Sequence, residues 1–369
     1  MELVNSTRMV IGSTVGMEAS GRELLVVVVK GTFRLPKLGE DVELHQEQLP
    51  LVMADTFTGA PGFSAPMHEV DFALRKHRCD ILLLGGAYAP HGRPIKRIPV
   101  SLRIGNWTKT FAVVGNRRWD AGGGGVRTTG AESFVSQPFS YDVAFGGVDA
   151  NHEDPAKHAA FMRNPVGRGF HKHLDSKWVH GTPLPNTEEL DRPIDAPDGH
   201  YTPMSFGPVG RGWEPRSRYA GTYDDEWVER IFPFLPPDFD EQYYQAAPLD
   251  QQLPFPVGGQ AVSLVNLTPD GERNFVLPAF EAPMTIFPKR AQREDYNATL
   301  DSIVFEPEFE RFTMTWRITR ALTFSIFEIA KVVVGRRGHE PWQKHTQVAF
   351  PNPVAAAPPH ADDEMPSEV

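Results

Sequence analysis

Two kinds of apolar pattern recur along the chain. Ile98, Val100, Leu102 and Ile104 alternate with Pro99, Ser101 and Arg103, the period of a half-buried strand. Phe111 and Val113 continue it after a turn at Gly105-Asn106. Phe312, Met314, Trp316 and Ile318 alternate with Thr313, Thr315 and Arg317. The strand they predict should pair with Leu300–Phe305 across Glu306-Pro307-Glu308. Leu24 to Val29 is apolar without a break and rich in β-branched residues, which suits a strand buried on both faces. Ala73–Leu84 reads as a long strand closed by Gly85-Gly86, and Ala261–Leu267 as another, ended by the turn Thr268-Pro269-Asp270-Gly271. Phe324–Val334 fits a short helix or a frayed strand. The predicted class is mainly β: antiparallel, sandwich-like sheets, a long irregular central segment rich in proline, glycine and aromatics, and few short helices.

On this pattern residues 1–120 form an N-terminal antiparallel β domain and 121–134 a glycine-rich loop. Ala121 and Gly122 to Gly125 offer nothing to bury, so they predict a flexible joint. Residues 135–258 lack clear periodicity, and 259–340 return to a β region packing with them. The stretch 341–369, with Ala-Ala-Ala-Pro-Pro and a run of acids, predicts a largely disordered tail whose last residues, 351–369, folding does not need. The middle is nonetheless not disordered in composition. Residues 201–244 hold seven of the chain's fifteen Trp and Tyr residues, and disordered tracts are poor in aromatics. One helix is predicted there, with Thr222 as N-cap, acids at 224–226 on the dipole's positive end, Tyr223, Trp227 and Ile231 on one face, and Pro233 ending it.

Composition narrows the function. The net charge of −10 argues against broad phosphate neutralisation, so no nucleic-acid partner is expected. The single cysteine, Cys79, excludes an internal disulfide framework or a cysteine-built metal site. Met1–Arg8 lacks the basic and apolar regions of a signal peptide, and the longest aliphatic run falls far short of the ~20 residues that span a bilayer. A cytoplasmic protein without membrane insertion is the expectation. Charge is uneven: residues 69–119 carry ten Lys/Arg and three Asp/Glu, whereas 222–241 carry seven acids and one arginine. Such separation steers partners by sign or simply marks solvated faces.

Candidate chemistry is thin. There is no phosphate-loop motif, and Asn164–Phe170, with two glycines beside Arg168, is either an anion nest or a tight turn. His152, His158, His171, His173 and His180 cluster in sequence and could supply metal ligands, but no H-E-x-x-H occurs, and loop histidines are the plainer reading. Asp238 and Asp240 invite a two-carboxylate glycosidase or serve as turn formers. A hydrolase lacks its nucleophile elbow, and strand tryptophans such as Trp316 could stack on sugars or pack in a core. No catalytic residue, metal or cofactor is assigned, and a hydrolase or carbohydrate-binding β sandwich stands as the alternative. Tyr, Trp and Arg in an ordered, irregular segment instead suit a binding surface.

A set of ordered strings carries a resemblance. They are Phe145-Gly146-Gly147-Val148-Asp149, Asn164-Pro165-Val166-Gly167-Arg168-Gly169-Phe170, Leu184-Pro185-Asn186, Phe206-Gly207-Pro208, Trp213-Glu214-Pro215-Arg216, Tyr219–Asp224 with Gly221, and Phe234–Asp240. Over roughly residues 1–335 the chain resembles a bacterial family long catalogued as a domain of unknown function, whose members accompany type VI secretion genes. The resemblance implies a non-catalytic cytoplasmic adaptor or chaperone that holds a toxic effector, often of PAAR or Rhs type, and passes it to the VgrG spike. Free sheet edges would let such a carrier accept a client strand. Trp213, Arg216, Tyr223 and Trp227 are the expected partner contacts. Phe145, Gly146, Gly147, Asp149, Asn164, Pro165, Gly167, Gly169, Asn186, Gly207, Pro208, Gly221, Asp238 and Asp240 are expected to shape the backbone.

Overall fold

The computed structural model describes residues 1–37 and 39–335; the predicted tail lies outside them. The chain is mainly β. Its largest sheet has six strands in the order Gln252–Leu253, Cys79–Leu83, Thr299–Glu306, Arg311–Ala321, Glu23–Arg34 and Val10–Met17. Every pairing is antiparallel except the parallel one between Cys79–Leu83 and Thr299–Glu306. A five-stranded antiparallel sheet follows the order Thr187–Glu188, Trp107–Val114, Arg97–Ile104, Ala261–Val265 and Glu272–Val276. A four-stranded sheet joins Glu2–Asn5, Ile329–Val334, Pro283–Pro288 and Glu294–Asn297.

The unbroken apolar run explains the centre. Leu25, Val27 and Val29 face the main core, where Phe33, Ile303, Phe312 and Trp316 meet Val100, Leu102, Phe111 and Leu264 of the five-stranded sheet and Ile286 and Val332 of the four-stranded one. Leu24, Val26 and Val28 face the other way, against Leu74, with Leu51, Phe72 and Tyr244 packed over them. Both faces are therefore dry, and the side-chain period of two disappears from the sequence. Segments 1–120 and 259–335 supply neighbouring strands to the same sheets, so that division follows chain order and not separate layers.

Two sequence expectations need correction, and an open one at Phe324–Val334 is resolved. The glycine run is no loose joint: Trp119–Gly122 and Gly125–Thr128 form a hairpin, with Gly122 opposite Gly125 and Trp119 fully buried. Ala73–Leu84 is strand only over Cys79–Leu83; the preceding residues 73–78 are loop, and Lys76 among them is held by an ion pair with buried Asp80. Ile329–Val334 is a strand, held between parallel Glu2–Asn5 and antiparallel Pro283–Pro288. The pairing of Thr299–Glu306 with Arg311–Ala321 and the turn at Thr268–Gly271 match expectation.

Candidate functional site

The irregular middle builds a projecting knob between residues 219 and 240. Its two ends are stapled together: Asp240 N donates to Tyr219 O at 3.0 Å, and Thr222 donates both its N–H and its hydroxyl to Asp238, at 2.9 and 2.7 Å. Those bonds hold the Asp238 carboxyl below its ordinary range. Thr222 is thereby used up, and the N-cap of the Asp225–Arg230 helix is Asp224, which accepts from Trp227 N at 2.9 Å.

This helix of six residues buries none of them. Its aromatic residues order one another instead. The Trp227 ring meets Tyr223 edge-on at 4.8 Å and Phe232 at 5.5 Å, and its indole N–H donates to Phe234 O at 2.9 Å. Tyr223 (52% exposed), Val228 (61%), Phe232 (65%) and Phe234 (43%) present an apolar surface to solvent. Asp224, Asp225, Glu226, Glu229, Asp238, Asp240 and Glu241 surround it in sequence. Apolar anchors fixed by their neighbours and ringed by charge are the usual anatomy of a protein docking site.

Trp213 and Arg216 do not join this surface. Trp213 is buried edge-on against Tyr141 at 5.3 Å. Arg216 is 3% exposed and donates to Glu69, to Val209 O and twice to Tyr243 O. It is a buried cation pinning the knob's base, with Arg211 sharing Glu69 and reaching Asp55 at 2.7 Å. Of the four expected contacts, Tyr223 and Trp227 come together at the surface.

Most of the motif residues sit in the interior, whereas Gly221, Asp238 and Asp240 lie in the knob. Phe145-Gly146 pairs in parallel with Arg168-Gly169, and Phe145 centres a second core with Trp119, Phe161 and Tyr201. Gly146 is in the left-handed half of backbone space, and a side chain there would meet Asn164 O at 2.1 Å. Asn164, beside Pro165, donates to Tyr141 O and Phe145 O. Asp149 accepts from Lys172 N and His173 N at 3.0 Å each. Asn186 accepts from Arg168 and donates to Val114 O. Gly147, Gly167, Gly169 and Gly221 lie where a side chain would meet close neighbours, Gly207 and Pro208 are buried, and Asp240 caps the Glu241–Tyr244 turn.

The enzymatic candidates form no site, although His152 and His173 meet with ring centroids 5.1 Å apart. His171 contacts Thr182 Oγ1, His173 contacts Lys157 O, His158 contacts His152 O, and His180 contacts Asp120. Among the described residues no three His, Cys, Asp or Glu side chains gather as a metal site. Burial pushes the Cys79 thiol well up, away from the thiolate a nucleophile needs. Asp238 is engaged by Thr222 across the knob's base, Asp240 caps a local turn, and Trp316 lies in the main core. Half of the ten cations of the basic stretch are in ion pairs, Arg75 with Glu241, Lys76 with Asp80, Arg97 and Arg117 with Glu188, and Lys109 with Asp250.

One arrangement was invisible in the sequence. Thr56 Oγ1 lies 3.1 Å from His68 Nδ1, and His68 Nε2 lies 3.1 Å from Glu306 Oε1. Burial would raise the Glu306 carboxyl, but hydrogen bonds from His68 and Arg311 overcome it and hold the group down at about 2. Thr56 and His68 are cross-strand partners in a short hairpin, and Thr56 Oγ1 also accepts from His68 N at 3.2 Å. Register alone accounts for their meeting.

Against known proteins, the family described as "Uncharacterized protein conserved in bacteria (DUF2169)" matches residues 20–317, and the chain belongs to it. No curated protein and no solved structure matches.

Proposed function

Proceeding from that membership, we propose that this DUF2169 protein is a non-catalytic cytoplasmic adaptor or chaperone. It binds a type VI secretion effector and assists its loading onto the VgrG/PAAR spike. The single observation that carries the reading is the aromatic knob flanked in sequence by acids, in which exposed Tyr223 and Phe232 are ordered by ring contacts with half-buried Trp227 and not by a core. A carrier needs such a preformed surface, because anchors that are already rigid lose little entropy on binding. No helix among the described residues is long and apolar enough to cross a membrane.

The test is co-expression with the effector encoded by the adjacent gene, followed by affinity measurement on the purified pair. Tyr223→Ala with Phe232→Ala should weaken binding at least thirtyfold, which corresponds to about 2 kcal/mol at a hot spot. Binding that is unchanged while the variant stays folded removes the knob from the interface. The Thr56–His68–Glu306 array favours the hydrolase alternative. Ester or amide turnover abolished by both Thr56→Val and His68→Gln would establish that alternative in place of the adaptor.

A further inference from the structure

Edges are where a sheet is open to another chain, and proteins blunt them by shortness, charge, proline or bulges. In the three larger sheets most edges are treated this way. Gln252–Leu253 and Thr187–Glu188 are two residues long, Glu2–Asn5 is four, and Glu272–Val276 and Glu294–Asn297 begin with charged pairs. Val10–Met17 is different. Its sequence, Val-Ile-Gly-Ser-Thr-Val-Gly-Met, holds no charge and no proline. All eight residues pair with Glu23–Arg34 in unbroken register, from Val10 opposite Lys30 to Met17 opposite Glu23.

The direction of its unpaired groups follows from the turn. Glu18 N donates to Arg22 O at 3.1 Å, so that pair is hydrogen-bonded, and the alternation of an antiparallel ladder puts Gly16, Thr14, Gly12 and Val10 in bonded pairs as well. The N–H and C=O of Ile11, Ser13, Val15 and Met17 therefore point away from the sheet. Among the described residues none of them bonds to a further segment. Leu322 N donating to Glu23 O at 2.8 Å agrees with this phase on the far side of the Glu23–Arg34 strand.

The Met17 end of the edge runs into the knob. Phe234 packs against Gly21 in the Glu18–Arg22 turn. Arg22 Nε donates to Leu322 O, which brings in the 322–328 loop, where Phe324 and Phe327 are 87% and 75% exposed. Glu18, Glu23 and the six acids of residues 219–240 outnumber Arg22 and Arg230, so this end is negative. We propose, as a deepening of the adaptor reading and resting on it, that the client binds by strand addition to Val10–Met17. The occupant is an extended client segment, uncharged and β-branched along the edge and basic where it passes Met17 toward the aromatic end. A second copy of this chain would bring its own net charge of −10 to the same acidic surface.

The test uses the full chain with the co-expressed effector and two proline variants. Ser13→Pro and Val15→Pro each delete an outward N–H while keeping the bonds to Glu23–Arg34; Thr14→Pro, whose N–H points inward, is the control for a damaged sheet. Both outward variants should melt near the parent and bind the effector at least tenfold more weakly. Amide exchange at Ile11, Ser13, Val15 and Met17 should be fast in the free chain and slow in the complex. The proposal is overturned if the folded variants bind normally, if these amides are already protected in the free monomer, or if the chain alone forms a dimer that the variants dissociate. Should the parent capture no effector, the adaptor reading fails by itself. The edge is then decided by a fluorescent peptide of alternating valine and threonine ending in three lysines, which must bind the parent and lose affinity tenfold in both variants.

Discussion

Phe234 rests its ring against Gly21, so the knob of the irregular middle sits directly on the turn joining the edge strand to its neighbour Glu23–Arg34 in the six-stranded sheet. Gly21 has φ +81°, and a side chain there would lie 3.1 Å from the ring. Gly21→Val should cost roughly 1–3 kcal/mol through backbone strain and the collision together. Thermal melting checks the magnitude. Amide exchange across 223–234 should rise more than exchange in the main core, and an equal rise in both would mean that the knob is not seated there.

Arg317 and Asp301 are an ion pair with both side chains almost wholly buried, and Arg317 also donates to Asp71 O and Ala73 O. Removing one partner leaves the other charge in a dry site. Arg317→Met alone should therefore lose about 3–5 kcal/mol, while Arg317→Met with Asp301→Leu should recover much of it. Denaturant midpoints of the two variants give the comparison. Equal losses would show that water reaches the site.

The Glu306 carboxylate gives the fold an acid limb. Its folded value of about 2 lies below the ordinary 4.5, so its contribution is present above the unfolded value and is lost as pH falls from about 4.5 through 2. Glu306→Gln should flatten the decline in melting temperature across that window. The same variant should be less stable at neutral pH, because Arg311 and His68 lose their partner. A decline of unchanged steepness would place the sensitive group elsewhere.

Burial separates the aromatic residues of the middle into two stability classes. Trp213→Ala empties a packed site beside Tyr141 and should cost about 3–5 kcal/mol. Phe232→Ser, on a side chain 65% exposed, should stay within about 0.5–1 kcal/mol of the parent, allowing for its contact with Trp227. Melting curves for the pair test this directly, and comparable losses would contradict the exposed placement of Phe232.

What could be read in the sequence was what a strand records about its own two faces. Leu24–Val29 announced a doubly buried strand and Ile98–Ile104 a half-buried one, whereas the alternation of Phe312–Ile318 misled, because Thr313, Thr315 and Arg317 on its polar face are buried as well. The hairpin at Gly122–Gly125 escaped because its stability comes from Trp119 beneath it, not from the glycines. Trp213 and Trp227 carry the same local signal, yet one is buried and the other stands on the knob. That difference is set by contacts with Tyr141 and Phe232, and only the second is near in sequence. The meeting of His68 with Glu306 spans 238 positions, a distance over which neither residue leaves a trace on the other's surroundings.

The Glu23–Arg34 strand lies between Val10–Met17 and Arg311–Ala321. During synthesis its first partner emerges beside it, but the second is made almost at the end. Throughout that interval Leu-Leu-Val-Val-Val-Val is a wet, uncharged β segment of the kind that seeds aggregates. Premature termination anywhere before residue 311 should thus yield an insoluble fragment and not a smaller working protein, and the cell's own holdases have the longest task at the N-terminus.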